Sequence, residues 1–352
     1  MSEPSPTQHA PAADEQQRVE QAGTAENGRS RFVRIMQSPA GRNLGLVVAL
    51  LLLAAIGIVT SGDRFADSSN ILTILRLAAF IGVISVGMTF VIIGGGFDLS
   101  VGAIVALASV WSTTLATQTM AEDVHWTVMV MVAMLVGIGC GLVNGFLIAY
   151  GRMPPFVVTL AMLAAARGLA EIISDKRTQI VDVNEFTTFF NGSTLGIPRL
   201  VWIFALVVVI GWVLLNRTTF GRRTFAVGGN PTAARLAGIS VTRHTLMLYA
   251  LLGLACGLAA AMLTARTTAG TSTHGMLAEL DAIAAVVIGG SLLGGGRGTI
   301  IGTLFGVLIF STLTNIFTLN NLDTSVQAVA KGAIIVLAVF LQQRVAARNG
   351  SP

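Results

Sequence analysis

Charge is scarce in this chain. Asp, Glu, Lys and Arg make up only 11% of its 352 residues, against 53% hydrophobic, and the mean hydropathy is +0.77. Soluble globular domains carry about 25% charged residues, so a water-soluble domain is excluded and a membrane protein with several spans remains. Cysteine is scarcer still. Cys140 and Cys256 both sit in apolar runs beside glycines, without CxxC spacing or nearby histidines, which excludes a disulfide framework and a metal site and leaves two small buried residues. The signatures of catalysis are missing too. There is no GxxxxGK[ST] phosphate loop, no HExxH, no GxSxG and no DxxxD-like acidic cluster in a loop expected to be cytoplasmic, so neither enzyme activity nor ATP binding by this chain is expected. The net charge of +5 comes almost wholly from arginine. In so apolar a chain its placement reports topology and not nucleic-acid binding.

What is present is a series of long apolar runs. Residues 1–42, rich in Ser, Pro, Gln, Glu and Ala and without an apolar run, read as a disordered cytoplasmic tail and not as a signal peptide. A crossing helix needs about 20 mostly apolar residues, and that measure predicts ten spans within 43–343: 43–61, 71–93, 100–119, 126–149, 155–174, 199–216, 245–264, 278–293, 299–318 and 324–342. Alternate loops carry the cations. Loop two holds no basic residue, but Arg152, five arginines in 217–243, Arg297, and Arg344 with Arg348 in the tail 344–352 fall on one side; on the other are Glu122 and Asp123, Arg266 with Glu279, Asp323, and the mixed loop 175–198 with Lys176 and Arg177 against Asp175, Asp182 and Glu185. The expectation is an all-α, polytopic transmembrane bundle with both termini cytoplasmic.

Glycine is the second organising feature. Gly137, Gly141 and Gly145, then Gly253 and Gly257, then Gly298, Gly302 and Gly306 recur every fourth residue, a spacing that lets helices in lipid approach closely. Two segments also resemble each other, 90–106 (FVIIGGGFDLSVGAIVA) and 285–303 (AVVIGGSLLGGGRGTIIGT). Paired interruptions of this kind suggest an internal duplication and often flank a transport route. After the first interruption Asp98 or Ser100 either caps the next helix or lines that route.

Charges inside spans are expensive and therefore informative. Arg167 and Glu171 are four apart and share a helical face, where they neutralise each other or meet substrate. Lys331 has no acid on its own helix, which directs it to Glu279, to Asp281 or to helix-end carbonyls. Asn144, Thr159 and Asn315 suit either interhelical hydrogen bonds or the hydroxyls of a sugar. The stretch 217–243, RTTFGRRTFAVGGNPTAARLAGISVTR, holds five arginines and no acid, and Gly229 and Pro231 interrupt it. Residues 232–239 read as a short helix. Its small residues Ala233, Ala234, Ala237 and Gly238 seat closely in a partner's groove, or else the loop is a plain surface whose arginines fix topology.

Four blocks carry a family resemblance: GMTFVIIGGGFDLSVGAIVALASV (87–110), PFVVTLAMLAAARGLA (155–170), FAVGGNPTAARLAGI (225–239) and ELDAIAAVVIGGSLLGGGRGTIIGTLFGVLI (279–309). Together they resemble the permease subunits of ribose-type ABC importers. The resemblance implies a bacterial inner-membrane homodimer seated on two copies of an ATP-hydrolysing subunit, receiving a monosaccharide from a periplasmic binding protein. It also implies that Thr232, Ala233, Ala234, Arg235 and Gly238 match the family's E-A-A-x-x-x-G coupling loop, with Thr232 in place of the acid. The substrate-route candidates are Asp98, Ser100, Asn144, Phe156, Thr159 and Asn315, and the intramembrane charges are Arg167, Glu171, Asp281 and Lys331. No cofactor or metal is expected on the chain itself, ATP being used by the partner. Two competing readings stand: an ABC permease for nucleosides or branched-chain amino acids, and an ion-coupled secondary transporter titrating Asp98, Glu171 or Asp281.

Overall fold

The computed structural model describes residues 39–349. Residues 1–47 and 48–352 are separate units. Of the first, only the opening turns of helix α1 (Pro39–Ser61) are described, so most of the expected disordered tail lies outside the described residues.

The chain then runs through α2 (Asp63–Ala66), α3 (Ser68–Ile93), α4 (Val101–Ser112), α5 (Leu115–Asp123), α6 (Thr127–Ala149) and α7 (Pro155–Ile173). Short elements follow: β1 (Gln179–Ile180), α8 (Asn184–Asn191), β2 (Ser193–Thr194) and β3 (Ile197–Pro198). The remainder is α9 (Arg199–Arg217), α10 (Thr219–Gly229), α11 (Pro231–Leu236), α12 (Val241–Thr267), β4 (Ala269–Gly270), α13 (Ala278–Ile288), α14 (Ile300–Leu319) and α15 (Thr324–Asn349). Local chemistry sets the starts. The Asp67 carboxylate accepts from the Ser69 amide at 2.7 Å ahead of α3, Pro155 opens α7, and the Thr299 hydroxyl accepts from the Gly302 amide at 3.0 Å ahead of α14, each satisfying or removing an amide the helix leaves free.

Among the described residues, seven helices are long and apolar enough to cross a membrane: α1 from Leu44, α3, α6, α7, α9, α12 and α14. An eighth crossing exists only if α4 and α5 count as one, bent by 59°. The straight span expected over 100–119 is therefore broken. Its hydroxyls explain the bend: Ser112 and Thr113 donate to the Ser109 carbonyl at 2.9 and 3.0 Å, and Thr114 donates to Trp111 at 3.1 Å, bonds that compete with the helix ladder. The segments expected to span at 278–293 and 324–342 are helical, but α13 has 11 residues and the apolar part of α15 is Thr324–Leu337.

Helix α12 is the centre of the packing, with α3, α4 and α6 against it. Glycines make the closest of these contacts. A β-carbon on Gly137 would overlap the Gly253 carbonyl and lie 2.8 Å from the Gly257 amide, and one on Gly253 would lie 3.1 Å from the α-carbon of Gly141. The four-residue spacing thus brings α6 and α12 backbone to backbone. Cys256 is buried in the same packing, and both cysteines are free.

Contacts between loops sort them onto two faces. On one, β1 pairs antiparallel with β4 (Gln179 with Gly270, Ile180 with Ala269). Thr113 bonds Gln179 at 2.7 Å, Gln118 bonds the Ile180 carbonyl at 2.9 Å, and Asn191 bonds the Ala265 carbonyl at 2.7 Å. On the other, α10 meets the two helix interruptions, which turn out to be structural twins. After α3, the amides of Gly95 and Gly96 bond the carbonyls of Ile92 and Val91, and after α13 those of Gly290 and Ser291 bond Val287 and Val286. Gly95 and Gly290 have φ of 85° and 88°, the left-handed turn that closes a helix and favours glycine.

Candidate functional site

The arginine-rich segment folds into two helices. The Thr218 hydroxyl caps α10, and inside it Thr224 bonds the ring of His244 at 2.9 Å while Phe220 packs against His244 and Phe90. Helix α11 starts at Pro231, with the Asn230 side chain accepting from the Ala233 amide at 2.9 Å. It ends before the expected 239. The amides of Gly238 and Ile239 fold back onto the carbonyls of Arg235 and Ala234, and Gly238 has φ of 80°, a closing turn that ends the helix. Only Ala234 of this helix is buried. Thr232, Ala233, Arg235 and Gly238 are exposed together with Leu236 (86% exposed), and Arg222 and Arg223 are exposed on α10.

The far end of α10 reaches into the membrane part through glycine. A β-carbon on Gly228 would overlap the Ile93 carbonyl oxygen and lie 2.8 Å from the Gly296 amide, while one on Gly295 would lie 2.9 Å from the α-carbon of Gly95. The Gly296 amide donates to the Ile93 carbonyl at 2.8 Å. The end of α3, the loop before α14 and the end of α10 therefore meet backbone to backbone at one junction.

Just beyond it lies the first polar cluster. Asp98, Ser100 and Asn144 are 1%, 0% and 0% exposed. Asp98 accepts from the amide and hydroxyl of Ser100 and, at 3.0 Å, from the Asn144 side chain, which also donates to Ser100 at 3.0 Å. Tyr249 of α12 ties the same loop by donating to the Phe97 carbonyl at 3.1 Å. Three of the six substrate-route candidates are thus brought together and bond one another, while the buried Asn144 side-chain oxygen has no partner. Ser100 occupies the N-cap of α4 without a side-chain cap bond, and Asp98 holds a turn ahead of the helix instead of its first amides, as short carboxylates do in turns.

The other candidates lie elsewhere. Phe156 packs near Phe97, ring centroids 6.4 Å apart. Thr159 is buried and donates to the Pro155 carbonyl of its own helix at 2.8 Å. Asn315 exchanges two amide bonds with Asn70 of α3, at 2.8 and 3.1 Å. The expected Arg167–Glu171 pair does not form: Arg167 turns to the carbonyls of Ser272 and His274, because the β1–β4 pairing brings that loop over the end of α7. Lys331, of its anticipated partners, pairs with Asp281 at 3.0 Å, and its ammonium stands 5.3 Å from the Phe310 ring.

Sequence reasoning missed a cavity of about 310 Å³ between α3, α13, α14 and loop 273–276. Phe80, Asp281, Phe310, Ser311 and Thr314 line it. The signal was there in part, since Phe310 and Thr314 share a face of α14 one turn apart, but its walls come from segments about two hundred residues apart in sequence.

Over residues 70–339 the sequence matches the family described as branched-chain amino acid transport system / permease component. The chain belongs to this family. Among its relatives are the ribose import permease protein of Bacillus subtilis, 42% identical over 91% of this chain and 97% of the relative, and the L-arabinose ABC transporter permease protein of Azospirillum brasilense, 39% identical over 85% and 87%. The fructose import permease protein of Rhizobium meliloti is 36% identical over 87% of this chain and 86% of its own. No solved structure matches. The permease is a multi-pass protein of the inner membrane.

Proposed function

We propose that this chain is the permease subunit of an ATP-binding-cassette importer that moves a monosaccharide, ribose or a related sugar, into the cell. Two copies sit on two copies of a separate ATPase and receive the sugar from a periplasmic binding protein. The names of the relatives support the sugar; the absence of a phosphate loop from the sequence supports a separate ATPase and no cofactor on this chain. Counting the bent α4–α5 pair, α13 and α15 as crossings gives ten, with both termini in the cytoplasm beside the arginine-rich face. The twin closing turns after α3 and α13 support an internal duplication.

One observation carries the coupling reading. Helix α11 stands exposed on the arginine-bearing face, and the adjoining α10 runs directly to both helix interruptions through Gly228. Thr232, Ala233, Ala234, Arg235 and Gly238 are its contact with the ATPase; Asp98, Ser100 and Asn144 brace the interruption it acts on. ATP-driven closure of the partner then shifts the interrupted helices between outward-open and inward-open states. The test is uptake of labelled ribose by proteoliposomes holding permease, ATPase and loaded binding protein. Gly238→Val forces a branched residue into a left-handed turn, a strain of about 1–2 kcal/mol, and is expected to abolish uptake and ATPase stimulation while the protein stays inserted. Uptake without ATP, or normal uptake by Gly238→Val, overturns the reading. Because the family description names branched-chain amino acids, leucine is the comparison solute.

A further inference from the structure

The cavity between α3, α13 and α14 has the chemistry of a site. At about 310 Å³ it lies at the lower end of the roughly 300–1,000 Å³ of ligand pockets, which suits one small ring and excludes a nucleotide or a lipid. Two phenyl rings, Phe80 and Phe310, supply apolar faces, and Asp281, Ser311 and Thr314 supply oxygens. A sugar ring presents the same division, a C–H face and a rim of hydroxyls.

Charge in the cavity is balanced. Lys331 reaches both oxygens of Asp281, at 3.0 and 3.2 Å, leaving the carboxylate with lone pairs to accept further hydroxyls and the site without net charge. A neutral polyol is favoured there over an anion. Thr314 donates to the Phe310 carbonyl at 2.9 Å, which leaves its oxygen free to accept. Ser311 is the second, independent sign. It is 5% exposed and lines the cavity, so its hydroxyl opens onto that space and can bond a polar group placed there.

The walls are also attached to the part that moves. Helices α13 and α14 flank loop 289–299, whose Gly295 and Gly296 meet Gly228 at the junction. A shift of the coupling segment therefore reaches the cavity through two of its walls.

We propose that this cavity is a transient station for the transported sugar, with Phe80 and Phe310 against its C–H face and Asp281, Ser311 and Thr314 on its hydroxyls. This rests on the sugar-import reading and places the cargo within it. The experiment uses the reconstituted importer with ribose. Ser311→Phe, which fills the cavity, is expected to lower sugar moved per ATP hydrolysed by about tenfold or more. Thr314→Val is expected to lower turnover by about three- to tenfold, the loss of one neutral hydrogen bond, with KM for the loaded binding protein unchanged. In a variant with Cys140 and Cys256 replaced by Ala, Ser311→Cys is expected to react with a small thiol reagent and to be protected by ribose. Wild-type uptake together with unimpaired Thr314→Val turnover and unprotected Ser311→Cys overturns the station and leaves the function standing. A wild-type importer that moves leucine and no monosaccharide removes the function reading and the sugar with it.

Discussion

Gly228→Ala is the sharpest test of how the arginine-rich segment is joined to the membrane helices. One added methyl would overlap the Ile93 carbonyl oxygen and lie 2.8 Å from both the Ile93 carbonyl carbon and the Gly296 amide. All three are backbone atoms, so no side chain can rotate to make room. Overpacking of this kind costs about 1–3 kcal/mol, and the Gly296–Ile93 hydrogen bond, 2.8 Å long at the same point, contributes about 0.5–1.5 kcal/mol more when broken. The expected penalty is about 1.5–4.5 kcal/mol, or roughly 10- to 2,000-fold in the balance between docked and undocked α10. Hydrogen exchange at 294–296 reads that balance directly, and ATPase stimulation by the loaded binding protein reads its consequence. The neighbouring Gly229→Ala is the control, since a β-carbon there meets nothing within 4 Å. If Gly228→Ala exchanges and couples as Gly229→Ala does, the junction is not a mechanical link.

Three further substitutions probe the polar interior. Lys331→Met strands the Asp281 carboxylate, the two side chains being 18% and 19% exposed. Because the pair is not fully dry, the loss is expected to fall below the 3–5 kcal/mol of fully buried pairs, at about 1–3 kcal/mol, with Asp281→Asn in the same chain recovering most of it in thermal unfolding. Asn144→Leu removes donors to Asp98 and Ser100 and is expected to cost about 1–3 kcal/mol, the penalty for leaving buried acceptors without their donor; adding Asp98→Asn restores part of it, and an unchanged unfolding midpoint for the single variant refutes the bracing role. In loop 273–276, burial and then the nearby Arg167 hold the His274 imidazole down to about 4 from 6.5. The unfolded chain takes up its proton as pH falls below 6.5 while the folded chain does not until about 4, so stability present above pH 6.5 drains away across that window, by about 3 kcal/mol. His274→Gln is expected to flatten the fall in unfolding midpoint over the same range.

Much of the architecture is legible in the sequence because it rests on glycine. The four-residue spacing of Gly137, Gly141, Gly253 and Gly257 announces the α6–α12 contact, and the Ile-Gly-Gly triplets at 93–95 and 288–290 announce the two interruptions. The bend after Ser112 is harder to see, since hydropathy runs on through it and only the Ser-Thr-Thr hydroxyls mark the break. Asp98 reads alike as cap or route lining, and which holds depends on Asn144, forty-six residues away in sequence. Arg167 follows the same rule: Glu171 shares its helical face, but the loop carried over α7 offers carbonyls already fixed in place, from a point 105 residues further on. Local spacing names possible partners, and long-range topology decides among them.

Helix α12 joins the coupling segment to the paired strands in one continuous element. Its first residues follow α11, and its last lead straight into β4, hydrogen-bonded to β1 on the opposite face. Its 27 residues make a rod of about 40 Å. Pivoted at one end, a tilt of about 5° displaces the other by about 3.5 Å along such a rod. The rod works as a lever, so a small tilt set at its α11 end arrives enlarged at the paired strands β1 and β4.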